Sequence, residues 1–261
     1  MQAGAPGQPL VVLTPAWDDV FGYRALVDAL PDAFRVVALS AAEMPADDLV
    51  TTIEALGDAF ERVLLDEATD DLDRPITVLG WSTGGVAAYE LAARLDRSGA
   101  TVDQVAMVDT FFPGAEQHLW SNRWWKYKSL LTPAAFADEV TTTVKRRSKK
   151  YAEAIGKRLL LLAGTAVPDA PERTSTGGVP LEAFSYRPTR QGVPVVMYAA
   201  TTTNPARTYE GWQTVADVEV VPIVGRHRGF QSIMAADRVH HIADDVAARL
   251  RRDAGSTSDT D

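Results

Sequence analysis

The 261-residue sequence contains no cysteine and no long apolar run. Without cysteine there is no disulfide framework, no thiolate metal site and no cysteine nucleophile. The strongly apolar runs are as long as strands and fall short of the roughly 20 residues that a membrane-spanning helix needs. The basic start and apolar run of a secretory signal are also absent. These absences predict a cytoplasmic protein that does not act in the membrane.

Positive charge is also scarce, and the formal net charge is −9 at pH 7. This balance argues against a nucleic acid partner, because a phosphate backbone is bound by a basic face. The charge is uneven, however, since residues 115–190 carry 13 Lys and Arg against 7 Asp and Glu. A basic middle segment thus interrupts an acidic chain.

Short apolar strand patterns alternate with helical patterns on both sides of the middle segment. This alternation is typical of a mostly parallel central sheet that helices cover on both faces, so an α/β fold is predicted. The strand patterns are PLVVLT (9–14), FRVVAL (34–39), ITVLG (76–80), VDQVAMVD (102–109), VPVVMYAA (193–200) and VEVVPIVG (218–225).

The chain is predicted to form one domain, because single α/β domains often run past about 200 residues. The domain spans 9–252, between a disordered lead-in at 1–8 and a disordered tail at 253–261. The alternation of strands and helices breaks at 111–191, which is predicted to be an insertion over the carboxyl edge of the sheet.

A glycine-flanked serine lies between a strand pattern and a helix pattern in VLGWSTGGVAAYE (78–90). This is the setting of a nucleophile elbow, a strained turn whose neighbours must be nearly free of side chains. Ser82 is therefore the candidate nucleophile. The alternative is an ordinary turn in which Ser82 caps the helix.

A serine nucleophile needs a base, and His227 is the candidate among four histidines. It follows the last apolar strand in the loop VGRHRG, so its ring can return to the sheet edge that carries Ser82. His240 and His241 lie within the last helix pattern, where solvent exposure is expected, and His118 is expected to be incidental.

The base in turn needs an orienting carboxylate, and two strand ends lie between the serine and the histidine. The later end, YAATTTNP, has no carboxylate until Glu210, whereas the earlier one stops at Asp109. Exclusion therefore favours Asp109 as the acid. The alternative is that Asp109 caps the turn before Pro113.

Two backbone amides are expected to stabilise the oxyanion. One belongs to the residue after the nucleophile, Thr83, and the other comes from the loop TPAWDD after the first strand, where Ala16 is the natural donor.

Four stretches resemble the thioesterases that release chains from polyketide synthases and nonribosomal peptide synthetases. They are GWSTGGVAAYELAARL, VAMVDTFFPG, VEVVPIVGRHRGFQSIM and PLVVLTPAWDDVFGYRALVDALP. The resemblance implies the α/β-hydrolase fold, with the 111–191 insertion as a helical lid over an acyl channel. It places the nucleophile, acid and base at Ser82, Asp109 and His227. It also implies that no metal or cofactor is needed, because the substrate arrives on the phosphopantetheine of a carrier protein.

The chain departs from these relatives beside the expected site. Trp17, Asp18 and Asp19 stand where relatives have small residues, so Trp17 is expected to narrow the acyl pocket while the aspartates cap the next helix. Arg228 and Gly229 follow the histidine where relatives have a bulky aromatic residue. Polyketide thioesterases often have N-terminal dimer helices, and this chain reaches its first strand by about residue 9, so its oligomeric state stays open.

Two features of the basic middle segment are candidates for substrate and partner contacts. Trp120 and Trp124 are four residues apart on one helical face and are expected to line the acyl channel, with packing of the lid on the body as the alternative. A basic run is expected to attract an acidic carrier protein or the phosphate of a phosphopantetheine arm, with a solvated face as the alternative. The run consists of Lys145, Arg146, Arg147, Lys149 and Lys150.

Together with the candidate triad, the resemblance implies a thioesterase that frees an acyl chain, of the polyketide kind, from an acyl carrier protein or upstream synthase module. An acyl-serine forms and is resolved by hydrolysis or macrolactonisation. A stand-alone editing (type II) thioesterase or a general serine esterase is the second interpretation. A catalytically silent α/β-hydrolase fold that only binds a ligand or partner is the third.

Overall fold

Six parallel strands form the central sheet of the computed structural model, which describes residues 10–16, 20–41, 51–67, 74–114, 184–228 and 231–256. They are β1 (Leu10–Ala16), β2 (Arg35–Ser40), β3 (Ile76–Trp81), β4 (Val102–Val108), β5 (Val195–Ala200) and β6 (Val218–Ile223). Their spatial order is β2-β1-β3-β4-β5-β6. Because the strands are parallel, their carboxyl ends all lie along one edge of the sheet.

Helices cover both faces of this sheet. They are α1 (Arg24–Ala29), α2 (Ile53–Glu67), α3 (Thr83–Arg97), α4 (Tyr209–Trp212) and α5 (His240–Ser256), with short 3₁₀ turns at Val20–Tyr23 and Pro205–Arg207. Strand side chains alternate between two cores: Leu10 and Val12 pack with α2 and α3, whereas Val11 and Leu13 pack with α1 and α5. The inner strands β1, β3 and β5 are buried on both faces almost throughout, which is why each of them is a nearly continuous apolar run.

The predicted fold class, a parallel central sheet flanked by helices, is confirmed. All described residues belong to one compact unit, drawn from Met1–Leu119 and Val179–Asp261. None of the helices in the described part of the chain has both the length and the apolar character to cross a bilayer. The lead-in at 1–8, and with it the predicted disorder there, lies outside the described residues.

The two ends of the predicted insertion belong to the core of the body. The rings of Phe111 and Phe184 are 4.8 Å apart, and Tyr186 is only 4% exposed. The Tyr186 hydroxyl donates to Glu90 of α3 at 2.7 Å. Residues at both ends of 111–191 therefore pack in the core of the body. The break in the strand pattern did not indicate this.

The last helix extends beyond its predicted end. It continues to Ser256, whereas the sequence placed the start of a disordered tail at residue 253. Val246 and Leu250 are buried against the sheet, and a helix that is already anchored adds further turns at little cost because only its nucleation is unfavourable.

Candidate active site

Ser82 lies in the turn between β3 and α3, with φ 57° and ψ −120°. This backbone conformation is strained for a residue with a side chain. Two backbone hydrogen bonds hold it: the Ser82 N–H donates to the carbonyl of Val108 at 3.0 Å, and the Gly85 N–H donates to the carbonyl of Ser82 at 3.1 Å. The turn therefore has the geometry of a nucleophile elbow.

The glycines of this turn are required by close backbone approach. A Cβ at Gly80 would overlap the backbone of Gly84, and a Cβ at Gly84 would overlap the carbonyl oxygen of Thr14. Neither glycine is among those with positive φ, so what they provide is the absence of a side chain. The turn can thus pack against β1 while Ser82 alone carries the strain.

Ser82, His227 and Asp109 form one hydrogen-bonded line. The distance from Ser82 Oγ to His227 Nε2 is 3.1 Å, and the distance from His227 Nδ1 to Asp109 Oδ2 is 2.7 Å. Because Asp109 accepts from Nδ1–H, Nε2 is left as the acceptor for the serine hydroxyl. The structure brings these three predicted residues together in the order that the chemistry of a serine nucleophile requires.

The carboxylate of Asp109 is fully buried, at 0% side-chain exposure, and is well supplied with donors. Its Oδ1 accepts the N–H of Ala200 at 3.1 Å, and its Oδ2 accepts the hydroxyl of Thr203 at 2.8 Å in addition to His227. Burying a charged group is costly unless it is hydrogen-bonded. The end of β5, which lacks a carboxylate of its own, thus supplies the donors for the carboxylate of β4.

The loop that carries His227 is closed by short-range hydrogen bonds. The N–H of Arg226 donates to the carbonyl of Gln231 at 2.7 Å, and the N–H of Ile233 donates to the carbonyl of Arg226 at 3.0 Å. The hydroxyl of Ser232 lies 3.3 Å from the carbonyl oxygen of His227, to which it donates. The imidazole is 32% exposed, whereas Ser82 and Asp109 are buried, so His227 is the member of the line that solvent reaches.

Trp81 lies beside the base and also contacts a cation. Its ring centroid is 5.6 Å from that of His227, and the guanidinium carbon of Arg228 lies 5.7 Å from the same ring. The guanidinium of Arg228 therefore lies over the ring of the residue that precedes the nucleophile.

A second buried contact ties the elbow to β1. The phenol of Tyr23 accepts the N–H of Trp81 at 2.7 Å and donates to the carbonyl of Thr14 at 3.4 Å. The hydroxyl of Thr14 donates to the carbonyl of Gly84 at 2.8 Å. The sequence did not single out Tyr23 or Thr14, although Thr14, a polar residue inside the apolar run of β1, was a usable signal.

The two expected oxyanion donors lie at the same sheet edge as Ser82. Ala16 ends β1, which neighbours β3, and Thr83 begins α3, where helical N–H groups have no partner within the helix. Ala16 also has positive φ, at 56°. Among the described residues, the non-glycine residues with positive φ are Ala16, Ser82 and Asp109, each at the end of a strand. Backbone strain is thus concentrated at this edge.

Other predicted residues fall elsewhere. His240 and His241 are exposed at the start of α5, as expected for solvent-facing positions, with ring centroids 4.0 Å apart. The remaining ones lie outside the described residues: Trp17, Asp18, Asp19, His118, Trp120, Trp124, Lys145, Arg146, Arg147, Lys149 and Lys150.

Comparison with known proteins identifies the family. The family described as Thioesterase domain matches residues 8–156, more than half of the chain. The chain belongs to the thioesterase domain family. AMB antimetabolite synthetase AmbE of Pseudomonas aeruginosa is 32% identical over 123 residues, which are 44% of this chain and 6% of AmbE.

Solved structures resemble the whole chain at lower identity. Holo-AB3403, a four-domain nonribosomal peptide synthetase bound to AMP and glycine, matches 94% of this chain with a TM-score of 0.60 and 21% identity. The NocB thioesterase domain, in a covalent complex with a fluorophosphonate nocardicin G analog, matches 95% of this chain and 96% of its own, with a TM-score of 0.60 and 20% identity. This chain spans 19% of AB3403 and 6% of AmbE.

The family match confirms the predicted resemblance to thioesterases and the predicted enzyme class, a thioesterase, and the solved structures share the predicted α/β-hydrolase fold.

Proposed function

We propose that this thioesterase frees an acyl chain, of the polyketide kind, from the phosphopantetheine arm of a carrier protein through an acyl-serine intermediate. The observation that carries the proposal is the line Ser82–His227–Asp109, with distances of 3.1 Å and 2.7 Å. A thioester suits this site, because its carbonyl carbon is electrophilic and the thiolate is a good leaving group.

In the first half-reaction Ser82 Oγ attacks the thioester carbonyl while His227 Nε2 takes the hydroxyl proton. Asp109 stabilises the imidazolium, and the amides of Ala16 and Thr83 donate to the oxyanion. The carbon–sulfur bond then breaks, and the proton on His227 passes to the departing sulfur. The products are the acyl-serine and the free thiol of the carrier.

In the second half-reaction water or a hydroxyl of the acyl chain attacks the acyl-serine. His227 takes the proton of that nucleophile and returns it to Ser82 Oγ as the acyl bond breaks. Water gives an acid, and the internal hydroxyl gives a macrolactone. Neither half-reaction needs a metal ion or a cofactor in this scheme.

The proposed partner is a carrier-bearing synthase module. AB3403 combines four domains in one nonribosomal peptide synthetase, and this chain matches about a fifth of it. In this proposal the part of 111–191 between its two core-packed ends is the lid of a single domain, with Trp17, Trp120 and Trp124 along the acyl channel. The basic run of residues 145–150 is the docking point for the acidic carrier.

The decisive test replaces Ser82 by alanine and measures release of acid or lactone from an acyl group loaded on a carrier protein. We expect Ser82→Ala to abolish turnover, and a fluorophosphonate, the probe class that forms the NocB complex, to label the wild type at Ser82. Ser98→Ala, at the exposed end of the same helix, is the matched control and should leave the rate unchanged.

Retained turnover in Ser82→Ala, or a wild type that the probe does not label, would contradict the proposal. Comparison of carrier-bound acyl groups with p-nitrophenyl esters separates the proposed function from a general esterase. Mass spectrometry of the product separates hydrolysis from cyclisation.

A further inference from the structure

Three consecutive threonines follow β5; one of them bonds the acid of the candidate triad, and another bonds the loop that leads to His227. Thr203 donates to Asp109 Oδ2 at 2.8 Å, the oxygen that also accepts from His227 at 2.7 Å. Thr202 donates to the carbonyl of Gly225 at 3.0 Å, two residues before His227 in the chain. One threonine thus holds the acid, and its neighbour holds the loop of the base.

We propose that Thr202 and Thr203, the threonine clamp, are positioning residues that set the geometry of the Asp109–His227 pair. The clamp deepens the proposed acyl-serine chemistry and rests on it. It also explains why a strand end without a carboxylate is part of the site. In this chain β5 holds the acid of β4 in place instead of providing one.

Sheet order places the clamp between the two groups that it reaches. Asp109 follows β4 and His227 follows β6, and β5 lies between these two strands. The turn is itself fixed, because the N–H of Thr203 donates to the carbonyl of Ala200 at 2.9 Å and the N–H of Thr201 donates to the carbonyl of Ile223 at 3.0 Å. Because the turn is fixed, its two hydroxyl groups fix the positions of Asp109 and of the loop that carries His227.

The Thr203 hydroxyl also reduces the negative potential that the Asp109 carboxylate presents to His227. A donor to Oδ2 stabilises the buried carboxylate most when no imidazolium balances it, which is the state in which His227 is neutral and able to act as a base. Loss of this donor therefore favours the protonated pair. Asp109 is the charged group in contact with the imidazole, and Arg226 and Arg228 flank His227 along the chain.

The test compares four variants of the intact chain in two assays. Thr203→Val keeps the shape and removes the hydroxyl, Thr203→Ser keeps the hydroxyl, Thr202→Val removes the other arm, and Thr201→Val changes an exposed threonine of the same turn. The assays are the rate of labelling by a fluorophosphonate and the pH profile of kcat/KM for an acyl N-acetylcysteamine thioester.

We expect Thr203→Val to label and turn over about 10- to 100-fold more slowly, as the loss of a hydrogen bond to a charged group implies. Its KM should change little, and the acid limb of its pH profile should move to higher pH. Thr203→Ser should recover most of the rate, and Thr201→Val should match the wild type. Thr202→Val should slow labelling without moving the acid limb, because it acts through the main chain of Gly225.

A labelling rate for Thr203→Val within twofold of the wild type would overturn the clamp. So would a slower rate with an unmoved acid limb or without rescue by serine, since either would mean a structural role alone. If circular dichroism shows that Thr203→Val does not fold, Thr203→Ala is read by the same criteria. A wild type that is not labelled at all would instead overturn the proposed acyl-serine function.

Discussion

Individual side chains at the site are defined by what they are bonded to rather than by residue type alone. Asp109 and the exposed Asp96 are both aspartates, yet only Asp109 is fully buried with three donors on its carboxylate. Its backbone is also strained, with a positive φ of 43°. A residue that only capped the turn before Pro113 would need none of these contacts, so the geometry favours the role of orienting acid.

Replacement of Asp109 by asparagine tests that role. The amide keeps the size of the carboxylate but can donate to Nδ1, which moves the imidazole proton to Nε2 and removes the acceptor for the serine hydroxyl. We expect kcat to fall by about 10³- to 10⁴-fold. The measurement is steady-state turnover of an acyl N-acetylcysteamine thioester, with Asp96→Asn as the control. A loss smaller than tenfold in a folded Asp109→Asn protein would disprove the assignment.

At the scale of elements, the junction of β3 and α3 depends on contact with β1. Thr14, Tyr23 and Gly84 meet there through buried hydrogen bonds and close backbone approach. The sequence predicted the turn from its glycines, because a strand pattern before and a helix pattern after leave few alternatives. The partner that makes Gly84 necessary lies 70 residues earlier in the chain, at Thr14, and local patterns carry no information about it.

Replacement of Gly84 by alanine would improve the helix propensity of this position but worsen its packing. Propensity alone favours alanine within a helix by about 1 kcal/mol, but the new Cβ would overlap the carbonyl oxygen of Thr14. We expect packing to win and Gly84→Ala to lower the free energy of unfolding by about 1 to 3 kcal/mol. Urea unfolding measures it. Gly192→Ala, where a Cβ meets nothing within 4 Å, should be close to neutral, and equal stabilities of the two variants would refute the packing argument.

On the scale of the whole molecule, buried phenols tie two helices, α3 and α5, to their neighbouring segments. Tyr186 donates to Glu90 at 2.7 Å and Tyr198 donates to Asp245 at 3.0 Å. Burial, and then the neighbouring carboxylate, raises the pKa of both phenols well above the ordinary value of 10.0. Both stay protonated in the folded chain under conditions in which they ionise in the unfolded chain.

Stability should therefore fall at alkaline pH. The contribution of each phenol is fully present below the unfolded-state pKa of about 10 and is lost as the pH rises above that value, by roughly 1.4 kcal/mol per pH unit for each tyrosine. Urea unfolding between pH 8 and pH 11 measures this dependence. Tyr186→Phe with Tyr198→Phe should flatten it, while Arg94 and Arg249 still pair with the two carboxylates. An unchanged slope in the double variant would count against the explanation.

The sequence by itself determined the order of strands and helices, the elbow and the three members of the line. Apolar periodicity and turn glycines act between near neighbours, so they can be read directly. Only the tertiary structure decided which groups support those three. Thr203 is 94 residues from Asp109, and the sequence treated the end of β5 merely as a place without a carboxylate. Sheet order places that end between acid and base, where its hydroxyl and N–H groups complete the site.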